Sequence, residues 1–509
     1  MPEHQRDSYP AAVAVALLGL VPNTVLSTSF LPLRTPIQHD LGTSSGAVAV
    51  TLGLASAAYA IGAVLAAQIA LRHRARRAFL VAEVGFVVFS LLAAFAPSVL
   101  LFGIGRAGQG LAAGTMLVTA LPPLITRFGP GLVGRSAAIV NVGIFGASTL
   151  GPIAGGLAAS GSGSGAGSGW RILLVIAALL GAVGFGVAFV GYRAFEPPDP
   201  ERRVDVPVHV LVFAATIPTF VAASLSASLP LTSVWVIGLV AIGAVALVAL
   251  LAWEARRRDA LIPINALSTQ LPVTGLLVVL VGGAVFVTVS ELLQTRLTAI
   301  DGRSALSAGA LFWPAPVGAA VAAVVFWRLF ATRFVPVLID AGLVLLALGA
   351  VLPLVFSQDG AIVPWSALLL GLGAGSTVSP GLFLIGLGMP SGRLGRAFAL
   401  VQLLRSVATY AVAPVVLAVA SGHGTPSAHG LRSGFLAMSI VAVAGLVIAL
   451  VLPAVSGARL RAPDLESWLD GDRGVPSPPT ATHLRPGVDA AEEDGAEPFL
   501  PERLRRRDR

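Results

Sequence analysis

Fourteen long apolar stretches divide the 509-residue chain. An apolar stretch of about 20 residues crosses about 30 Å of hydrocarbon as an α-helix, and lipid contains no water that could satisfy an unpaired backbone group. The chain therefore has to fold as an all-α bundle of membrane-spanning helices. The predicted spans, numbered 1 to 14, cover residues 10–33, 46–71, 78–97, 98–125, 137–159, 171–192, 207–228, 232–253, 272–294, 307–330, 335–356, 362–388, 396–420 and 432–454.

The composition agrees with a membrane protein. Hydrophobic residues make up 56% of the chain and charged residues 11%, against roughly 25% charged residues in a typical soluble domain. The chain has no cysteine, and its seven histidines show no metal-ligand spacing, so we expect neither a metal nor another cofactor. Since no polar segment is large enough for a catalytic domain, the sequence also predicts that the protein is not an enzyme.

The arginines predict how the chain is oriented. An even number of spans puts both termini on one side, and cytoplasmic loops are richer in arginine. One set of loops holds Arg72, Arg74, Arg76, Arg77, Arg127, Arg135, Arg193, Arg202, Arg203, Arg256, Arg257, Arg258, Arg328, Arg333, Arg393 and Arg396, and the opposite set holds only Arg34, Arg171, Arg296, Arg303 and Arg432. We therefore expect cytoplasmic termini in a multi-pass protein of the bacterial cell (inner) membrane, with the lipid bilayer and not nucleic acid as the partner of this basic charge.

An internal repeat indicates how the spans are grouped. Residues 131–161 overlay residues 392–422 without a gap, and both segments contain Gly-x-x-Gly-Arg near the start of a span. This pairs span 5 with span 13, which implies two six-helix halves in parallel orientation with spans 7 and 8 inserted between them. The predicted organisation is a cytoplasmic N-terminus (1–9), an N-terminal bundle (10–194), two extra helices with a cytoplasmic connection (195–271), a C-terminal bundle (272–455) and a disordered cytoplasmic tail (456–509).

Three motifs carry a family resemblance. The segment GRAGQGLAAG contains Arg106, Gln109 and Gly110, ASTLGPIAGG lies at the end of span 5, and WEARRRDALIPINAL occupies residues 253–267. Together they resemble the major facilitator superfamily, and within it the fourteen-helix drug:proton antiporter family. The resemblance implies alternating access around a central cavity lined by spans 1, 4, 9 and 12.

The chain departs from this family at three places. In ASTLGPIAGG, Ala147 stands where a glycine is usual. The loop between spans 2 and 3 keeps its basic cluster, but Leu71 stands near the position of the usual acid. Span 1 of the family often carries an acid before a threonine, whereas this chain has Asn23 and Thr24 there. A familiar protonation site of the family is therefore missing, and any proton has to be carried by another residue.

Polar residues inside the spans are the candidates for binding. A charged residue at the centre of a span costs about 2.5–3.5 kcal/mol and usually faces a bundle interior or an aqueous cavity. Arg106 could orient a substrate, or it could simply hydrogen-bond to helix carbonyls and Gln109. The full set of predicted cavity residues is Asn23, Ser27, Arg106, Gln109, Gln294 and Arg405.

Three acids lie within the spans. We predict Glu291 as the proton-coupling residue, with an already hydrated interfacial acid as the alternative. Glu83 and Asp340 occupy repeat-related positions, as do Arg135 and Arg396. We therefore predict two cytoplasmic clamps, Glu83 with Arg135 and Asp340 with Arg396, and proton carriage by these acids as the alternative.

The antiporter motif of span 5 predicts a hinge. Proline removes a backbone donor and bends a helix, while glycines allow helices to approach closely. The resemblance implies a hinge and seal between the halves, although the same bend could be a plain packing device. The residues concerned are Gly151, Pro152, Gly155 and Gly156.

Residues 103–108 also match G-x-G-x-x-G, the fingerprint of a dinucleotide site. Such a site requires a strand before the glycines, a helix after them and an acid about 20 residues further on. The segment lies instead within an apolar span, and no acid occurs between Glu83 and Glu196. We therefore interpret the glycines as a helix-packing face.

The sequence predicts a proton-coupled exporter of amphipathic or hydrophobic small molecules, a multidrug-type efflux protein that works by alternating access as a monomer. Its partners would be the small-molecule substrate and protons. One alternative is a dedicated exporter of a single endogenous metabolite or lipid. Another is a non-transporting membrane scaffold or sensor that acts through its C-terminal tail.

Overall fold

The computed structural model describes residues 8–160, 169–193, 198–257, 260–262, 264, 269–356, 360–421, 426–456 and 462–470. These residues form helices and no β-strand, and fourteen helices are long and apolar enough to cross a membrane, so the predicted fold class and span count are confirmed. The α-helices are α1 (Tyr9–Ser29), α2 (Arg34–Asp40), α3 (Ser45–Arg72), α4 (Ala75–Ala94), α5 (Val99–Thr126), α6 (Pro130–Val140), α7 (Gly151–Ser160), α8 (Gly169–Gly191), α9 (Val206–Leu225), α10 (Val234–Ala255), α11 (Gln270–Thr295), α12 (Ala305–Ala310), α13 (Pro314–Leu329), α14 (Val335–Val355), α15 (Val363–Leu387), α16 (Leu394–Ser421), α17 (Ala428–Ser456) and α18 (Leu465–Leu469).

The two halves are recognisable from their packing. Helices α1, α3, α4, α5 and α8 pack mainly within the first half, and α11 and α13–α17 pack mainly within the second. Helices α6 and α7 lie at the interface, where α6 packs on α13 and α7 packs on α12. Inserted helix α9 lies across α3 of the first half and α16 of the second, while α10 packs on α9 and exposes its valines along the outer surface. The inserted pair therefore forms part of the wall where the halves meet.

Span 5 is not a continuous α-helix. Between α6 and α7 the chain forms a π-helical turn over Asn141–Phe145 and a 3-10 turn over Gly146–Leu150. Pro152 has no N–H, so the Ser148 carbonyl four residues earlier loses its usual helical donor. The Ser148 carbonyl accepts instead from the Gly151 N–H at the end of the 3-10 turn and from the Thr28 hydroxyl on α1 at 2.7 Å, so α1 adds a second donor at the interruption.

The two ends of the bundle differ. We call the end where α1 begins and α17 ends the terminal face, and the other end the opposite face. Toward the terminal face, apolar side chains of α3 and α5 are buried against those of α16. This terminal seal consists of Ala60, Ile61, Val64, Val118, Ala399, Leu400 and Leu403. It closes the centre of the bundle to water from that face.

One part of the C-terminal tail is ordered. Residues 462–470 include α18, whose Trp468 is buried against the bundle. The prediction of a disordered tail is therefore wrong for this short stretch, and the rest of the predicted tail, apart from Ser456 at the end of α17, lies outside the described residues. The reason is that the apolar side chains of α18 find a binding surface on the bundle, which the polar composition of the tail as a whole conceals.

Helices α3 and α5 approach so closely that only glycine fits at the contact. A Cβ atom on Gly114 would lie 2.1 Å from the carbonyl oxygen of Tyr59, and one on Gly110 would lie 2.3 Å from that of Ala55. Replacing Gly114 by valine should therefore force the helices apart at a cost of about 1–3 kcal/mol and lower the thermal unfolding midpoint of the purified protein. Gly186→Val is the matched control, since a Cβ atom there meets nothing within 4 Å. Equal midpoints for the two variants would contradict the packing described.

Candidate functional site

A cavity of about 270 Å³ lies between the halves toward the opposite face. It is open to water near its mouth, because the side chains of Arg34 and Glu291 are 33% and 20% exposed. A smaller pocket of about 40 Å³ continues inward to Arg405. The residues that line both spaces include Asn23, Ser27, Thr28, Tyr59 and Tyr410. Predicted cavity residues Asn23 and Ser27 are thus where the sequence placed them.

Arg106 lines the larger cavity as predicted. It is 5% exposed, its guanidinium carbon lies 4.4 Å from the ring centre of Phe30, and it donates to the side-chain oxygen of Gln109. Gln109 in turn donates to the Ser90 hydroxyl on α4 at 2.6 Å. Gln109 is fully buried and is not among the residues that line the cavity in which it was predicted, and its side chain bonds Arg106 instead.

Glycines make room for this arrangement. A Cβ atom on Gly105 would lie 2.6 Å from the backbone nitrogen of Ala93 on α4, and Gly110 is close to α3 as described above. The GIGRAGQG segment therefore packs against two helices at once, which is the packing face that the sequence predicted. Arg106 projects from between these contacts into the cavity.

Arg405 repeats this pattern in the second half. Its guanidinium donates to the side-chain oxygen of Gln402 at 3.0 Å and lies 5.6 Å from the ring centre of Phe145. Gln402 is fixed by its own bond to the Ser406 hydroxyl at 2.8 Å. Each half thus presents one arginine that is bonded to a glutamine three residues away and faces a phenylalanine ring.

Glu291 lies at the cavity mouth, on α11. Its carboxylate is 4.0 Å from the guanidinium of Arg34, the first residue of α2. The other end of α2 is held by an ion pair between Asp40 and Arg171, with 2.8 Å between the charged atoms. Arg34 was missed in the sequence, where it counted only as a loop arginine, because nothing in the spacing shows that α2 folds over the cavity.

Gln294 does not reach the cavity. It is buried, and its amide nitrogen donates to the carbonyl of Ser290 in its own helix at 3.3 Å. Neither the cavity nor the smaller pocket includes it among the lining residues. The prediction for Gln294 is therefore wrong, because the side chain bonds back along α11 instead of following Glu291 into the open space.

The predicted clamp between Glu83 and Arg135 is not formed. Glu83 is fully buried inside the first half beside Gly184 of α8, and its carboxyl oxygens have no hydrogen-bond partner among the described residues. Arg135 extends instead toward the second half, with its guanidinium carbon 5.9 Å from the ring centre of Trp327. The two side chains leave their helices in different directions, so equivalent repeat positions do not bring them together.

Asp340 and Arg396 do not pair either. Arg396 donates to the carbonyl of Ala260 in the connection after α10, at 3.2 Å. Asp340 is half-buried on α14 and forms no ion pair with a described residue. Arg396 thus bonds to the connection after α10, and not to Asp340 as the clamp prediction required.

Two hydrogen bonds join the halves at the centre of the bundle. The Tyr410 hydroxyl on α16 donates to the Ser27 hydroxyl on α1 at 3.3 Å. The Asn141 amide in span 5 donates to the carbonyl of Gly375 on α15 at 2.7 Å. Both bonds connect groups that belong to different halves, so a relative movement of the halves has to stretch or exchange them.

The glycines of the antiporter motif lie at the same interface. A Cβ atom on Gly155 would lie 2.2 Å from the carbonyl of Ser29, and one on Gly156 would lie 2.5 Å from the carbonyl of Ala305. Helix α7 therefore packs backbone to backbone against α1 and against α12 of the second half. Gly151 and Pro152 begin this helix, next to Thr28.

The inserted helix α9 also reaches the cavity, which the sequence did not predict. Ser224 and Ser226 at its end line the wall together with Ala227. The sequence feature that could have indicated this contact is the serine-rich segment SLSAS at 224–228, but such a segment is equally typical of the end of a membrane span. Substrate contacts are therefore available outside the two repeated bundles.

A membrane-spanning bundle of two helical halves around a central cavity is the architecture of many secondary transporters. The model of the Major Facilitator Superfamily matches residues 16–410, and the chain belongs to this family. It is 27% identical over 408 residues to a probable multidrug-efflux transporter of Mycobacterium tuberculosis, covering 76% of this chain and 84% of the relative. The resemblance to the drug:proton antiporters is thereby confirmed, and the family consists of transporters of small molecules and not of enzymes.

Solved structures show the same fold. The human organic anion transporter MFSD10 superposes with a TM-score of 0.61 at 15% identity, over 88% of this chain and all (100%) of that one. The proton:xylose symporter XylE, bound to 6-bromo-6-deoxy-D-glucose, gives a TM-score of 0.61 at 13% identity, over 91% of this chain and 100% of its own. At these identities the likeness establishes the architecture and leaves the ligand to be argued from the cavity.

The bond between Thr28 and the Ser148 carbonyl should be measurable. Thr28→Val keeps the shape of the side chain but leaves the Ser148 carbonyl with the Gly151 N–H as its remaining donor, so we expect the loss of one hydrogen bond to cost about 0.5–1.5 kcal/mol of stability. Thr28→Ser keeps the hydroxyl and serves as the control. The thermal midpoint in detergent should fall for the valine variant and stay near that of the parent for the serine variant, and a parent-like valine variant would show that the bond contributes nothing.

Proposed function

We propose that the protein exports amphipathic or hydrophobic small molecules in exchange for protons, by alternating access, as a monomer in the bacterial inner membrane. The arginine asymmetry between loops supports a cytoplasmic terminal face. The cavity then faces the outside of the cell, and the terminal seal closes it to the cytoplasm. The relative named as a multidrug-efflux transporter supports export over uptake.

The observation that carries this proposal is the make-up of the cavity. Its wall combines apolar and aromatic side chains, such as Phe30, Leu52 and Leu417, with a similar number of polar residues, among which Glu291 is the single carboxylate of the described lining. Such a wall offers both apolar contact and polar groups to a ligand, which suits amphipathic molecules. The single carboxylate, Glu291, can bind and release a proton where water enters.

The ion pair at the mouth supplies a coupling step. When ionised, Glu291 attracts Arg34 across 4.0 Å, and when protonated it no longer does. The other charged or titratable groups that line this cavity are Arg106, Tyr59 and Tyr410. We infer that Glu291 takes a proton from the outside, that Arg34 is then released, and that the proton leaves after the cavity has turned to the cytoplasm.

The change of access uses the contacts between the halves. The terminal seal has to separate, and the hydrogen bond from Tyr410 to Ser27 has to break or exchange. The close contact of α7 with α1 and α12 supports a pivot there, because glycines allow one backbone to roll over another with little side-chain obstruction. Gly155 and Gly156 are the residues that such a pivot needs most.

Replacing Glu291 by glutamine tests the coupling. In proteoliposomes with an imposed pH gradient, Glu291→Gln should abolish gradient-driven accumulation of a substrate, because the amide cannot carry a proton. Exchange of the substrate down its own concentration gradient should continue, since the cavity keeps its shape. Glu291→Asp, which retains a carboxyl group, should keep part of the driven flux. Undiminished gradient-driven transport by the glutamine variant would overturn the role assigned to Glu291.

A further inference from the structure

The cavity carries an excess of positive charge. The described residues that line it and the deeper pocket include Arg34, Arg106 and Arg405 but only one acid, Glu291. Three positive charges and one negative charge leave a net charge of +2 when all four groups are ionised. The buried acid Glu83 lies inside the first half and lines neither space, so it does not offset this charge.

Arg106 is the least compensated of these groups. It is 95% buried, with 5% of its surface exposed, and its described polar partner is the neutral side chain of Gln109. Its Nε has no hydrogen-bond partner among the described residues. An arginine remains protonated even when buried, and a buried charge without a counter-ion is costly. The site therefore favours a ligand that brings a negative charge to Arg106.

The surroundings of Arg106 indicate the rest of the ligand. Phe30 lies against the guanidinium, and Leu52, Ala413 and Leu417 contribute apolar wall nearby in the same cavity. The polar residues of span 1 at this cavity, Asn23, Ser27 and Thr28, are neutral. A lipophilic cation would be repelled by three arginines, and Glu291, the one carboxylate of the described lining, already lies beside Arg34. An anion could instead accept a hydrogen bond from the guanidinium of Arg106, whose Nε has no partner among the described residues.

We propose that the substrates are anionic amphiphiles, with an apolar body and one carboxylate, sulfonate or phosphate group that binds the guanidinium of Arg106. This narrows the proposed function and rests on it. Protonation of Glu291 frees Arg34 at the mouth, where it attracts the anionic group outward and assists release. Exchange of one such anion for one incoming proton would move two positive charges inward, so an inside-negative membrane potential should accelerate export.

Three probes with one apolar body test the charge preference. They are 11-(dansylamino)undecanoic acid, its uncharged methyl ester and the corresponding primary amine, titrated into the purified full-length protein without any gradient. We expect the acid to bind at least about tenfold more tightly than the ester or the amine, as a charge-assisted hydrogen bond in a partly dry site would give. Equal or tighter binding of the amine would overturn the proposal.

Substitution of Arg106 locates the preference. Arg106→Gln should weaken binding of the acid about tenfold and leave the ester within about twofold, and Arg106→Lys should retain part of the preference. Arg432→Gln removes an exposed arginine outside the cavity and is the control. If Arg106→Gln does not fold, the charge preference of the cavity is still tested by the binding of the three probes to the parent protein and to Arg405→Gln. Equal weakening of all three probes by Arg106→Gln would refute a specific contact with the anion.

Transport of the same probes separates the two proposals. Preferential binding of the acid without pH-driven flux of any probe would leave the ligand class standing and remove proton-coupled export. Flux of the amine or ester without flux of the acid would remove the anionic ligand class and leave proton-coupled export standing.

A second and independent feature is the docked segment around α18. Trp468 is 2% exposed, and its indole N–H donates to the carbonyls of Met389 at 2.8 Å and Gly386 at 3.3 Å. Leu465 and Leu469 lie on the same side of α18 and pack against the same core. Because the indole is buried and its N–H is hydrogen-bonded, Trp468 is a specific anchor that holds α18 on the bundle.

The anchor connects the two halves. Gly386 and Met389 lie at the end of α15, in the second half, whereas α18 also packs against α6 of the first half. Asp464 caps α18 by accepting bonds from the Ser467 hydroxyl at 2.8 Å and the Ser467 amide at 3.2 Å. These bonds lower the pKa of the Asp464 carboxyl, so the cap is ionised and intact near neutral pH.

The geometry points to a latch that stabilises the conformation in which the terminal seal is closed. Under the alternating access proposed above, α6 and α15 move apart at the terminal face when the seal opens. The indole of Trp468 cannot remain on α15 while α18 remains on α6, so opening has to break one of the contacts. The tail segment thereby opposes opening toward the cytoplasm.

The absence of cysteine from the chain allows a direct test. A single cysteine introduced as Val64→Cys in the terminal seal should react with a maleimide several-fold faster when Trp468→Ala is also present. Ala227→Cys in the wall of the cavity should react more slowly in the same background. Trp365→Ala, which removes an exposed tryptophan at the other end of α15, is the matched control and should change neither rate.

A conservative variant, Trp468→Phe, keeps the test possible if Trp468→Ala does not fold. Trp468→Phe keeps an aromatic ring but loses the N–H donor, so its labelling rate at Val64→Cys should lie between those of the parent and Trp468→Ala. Unchanged rates at both cysteines in a folded Trp468→Ala protein, or in Trp468→Phe if the alanine variant fails to fold, would show that the segment is not a latch.

Discussion

The lack of water in hydrocarbon is the constraint on which this structure depends. Every backbone donor and acceptor within the spans must find a partner inside the protein, and continuous helices provide it almost everywhere. Where Pro152 interrupts span 5, the Gly151 N–H and the Thr28 hydroxyl both donate to the Ser148 carbonyl, so the bend is stabilised in part by the packing of α1 beside it. Thr28 of α1 thus bonds to span 5, while Asn23 and Ser27 of the same helix line the cavity.

Much of the architecture could be predicted because hydropathy and charge act along the chain. The length of each apolar stretch gives the number of spans, and the high cost of a buried charge places Arg106 and Arg405 beside an interior space. The repeat around residues 131–161 and 392–422 gives the pairing of the halves. All of these follow from position in the sequence alone.

The errors concern direction around a helix. Spacing gives the depth of Glu83 and Arg135, but not that one side chain faces α8 while the other faces α13. Gln294 has the right depth and bonds to its own helix. Arg34 and Trp468 depend on short helices that fold back over the bundle, and elements of this length contain too few turns for a periodic pattern to show which face is buried.

The inserted helix α9 lies outside both repeats and yet forms part of the cavity wall. A change in the α5 glycines or at Glu291 alters helix packing or the ion pair with Arg34 as well as the space for a ligand. Ser224 and Ser226 border the cavity from α9, which carries neither those glycines nor that ion pair. A substitution on this helix would therefore alter the wall of the cavity without removing either of them.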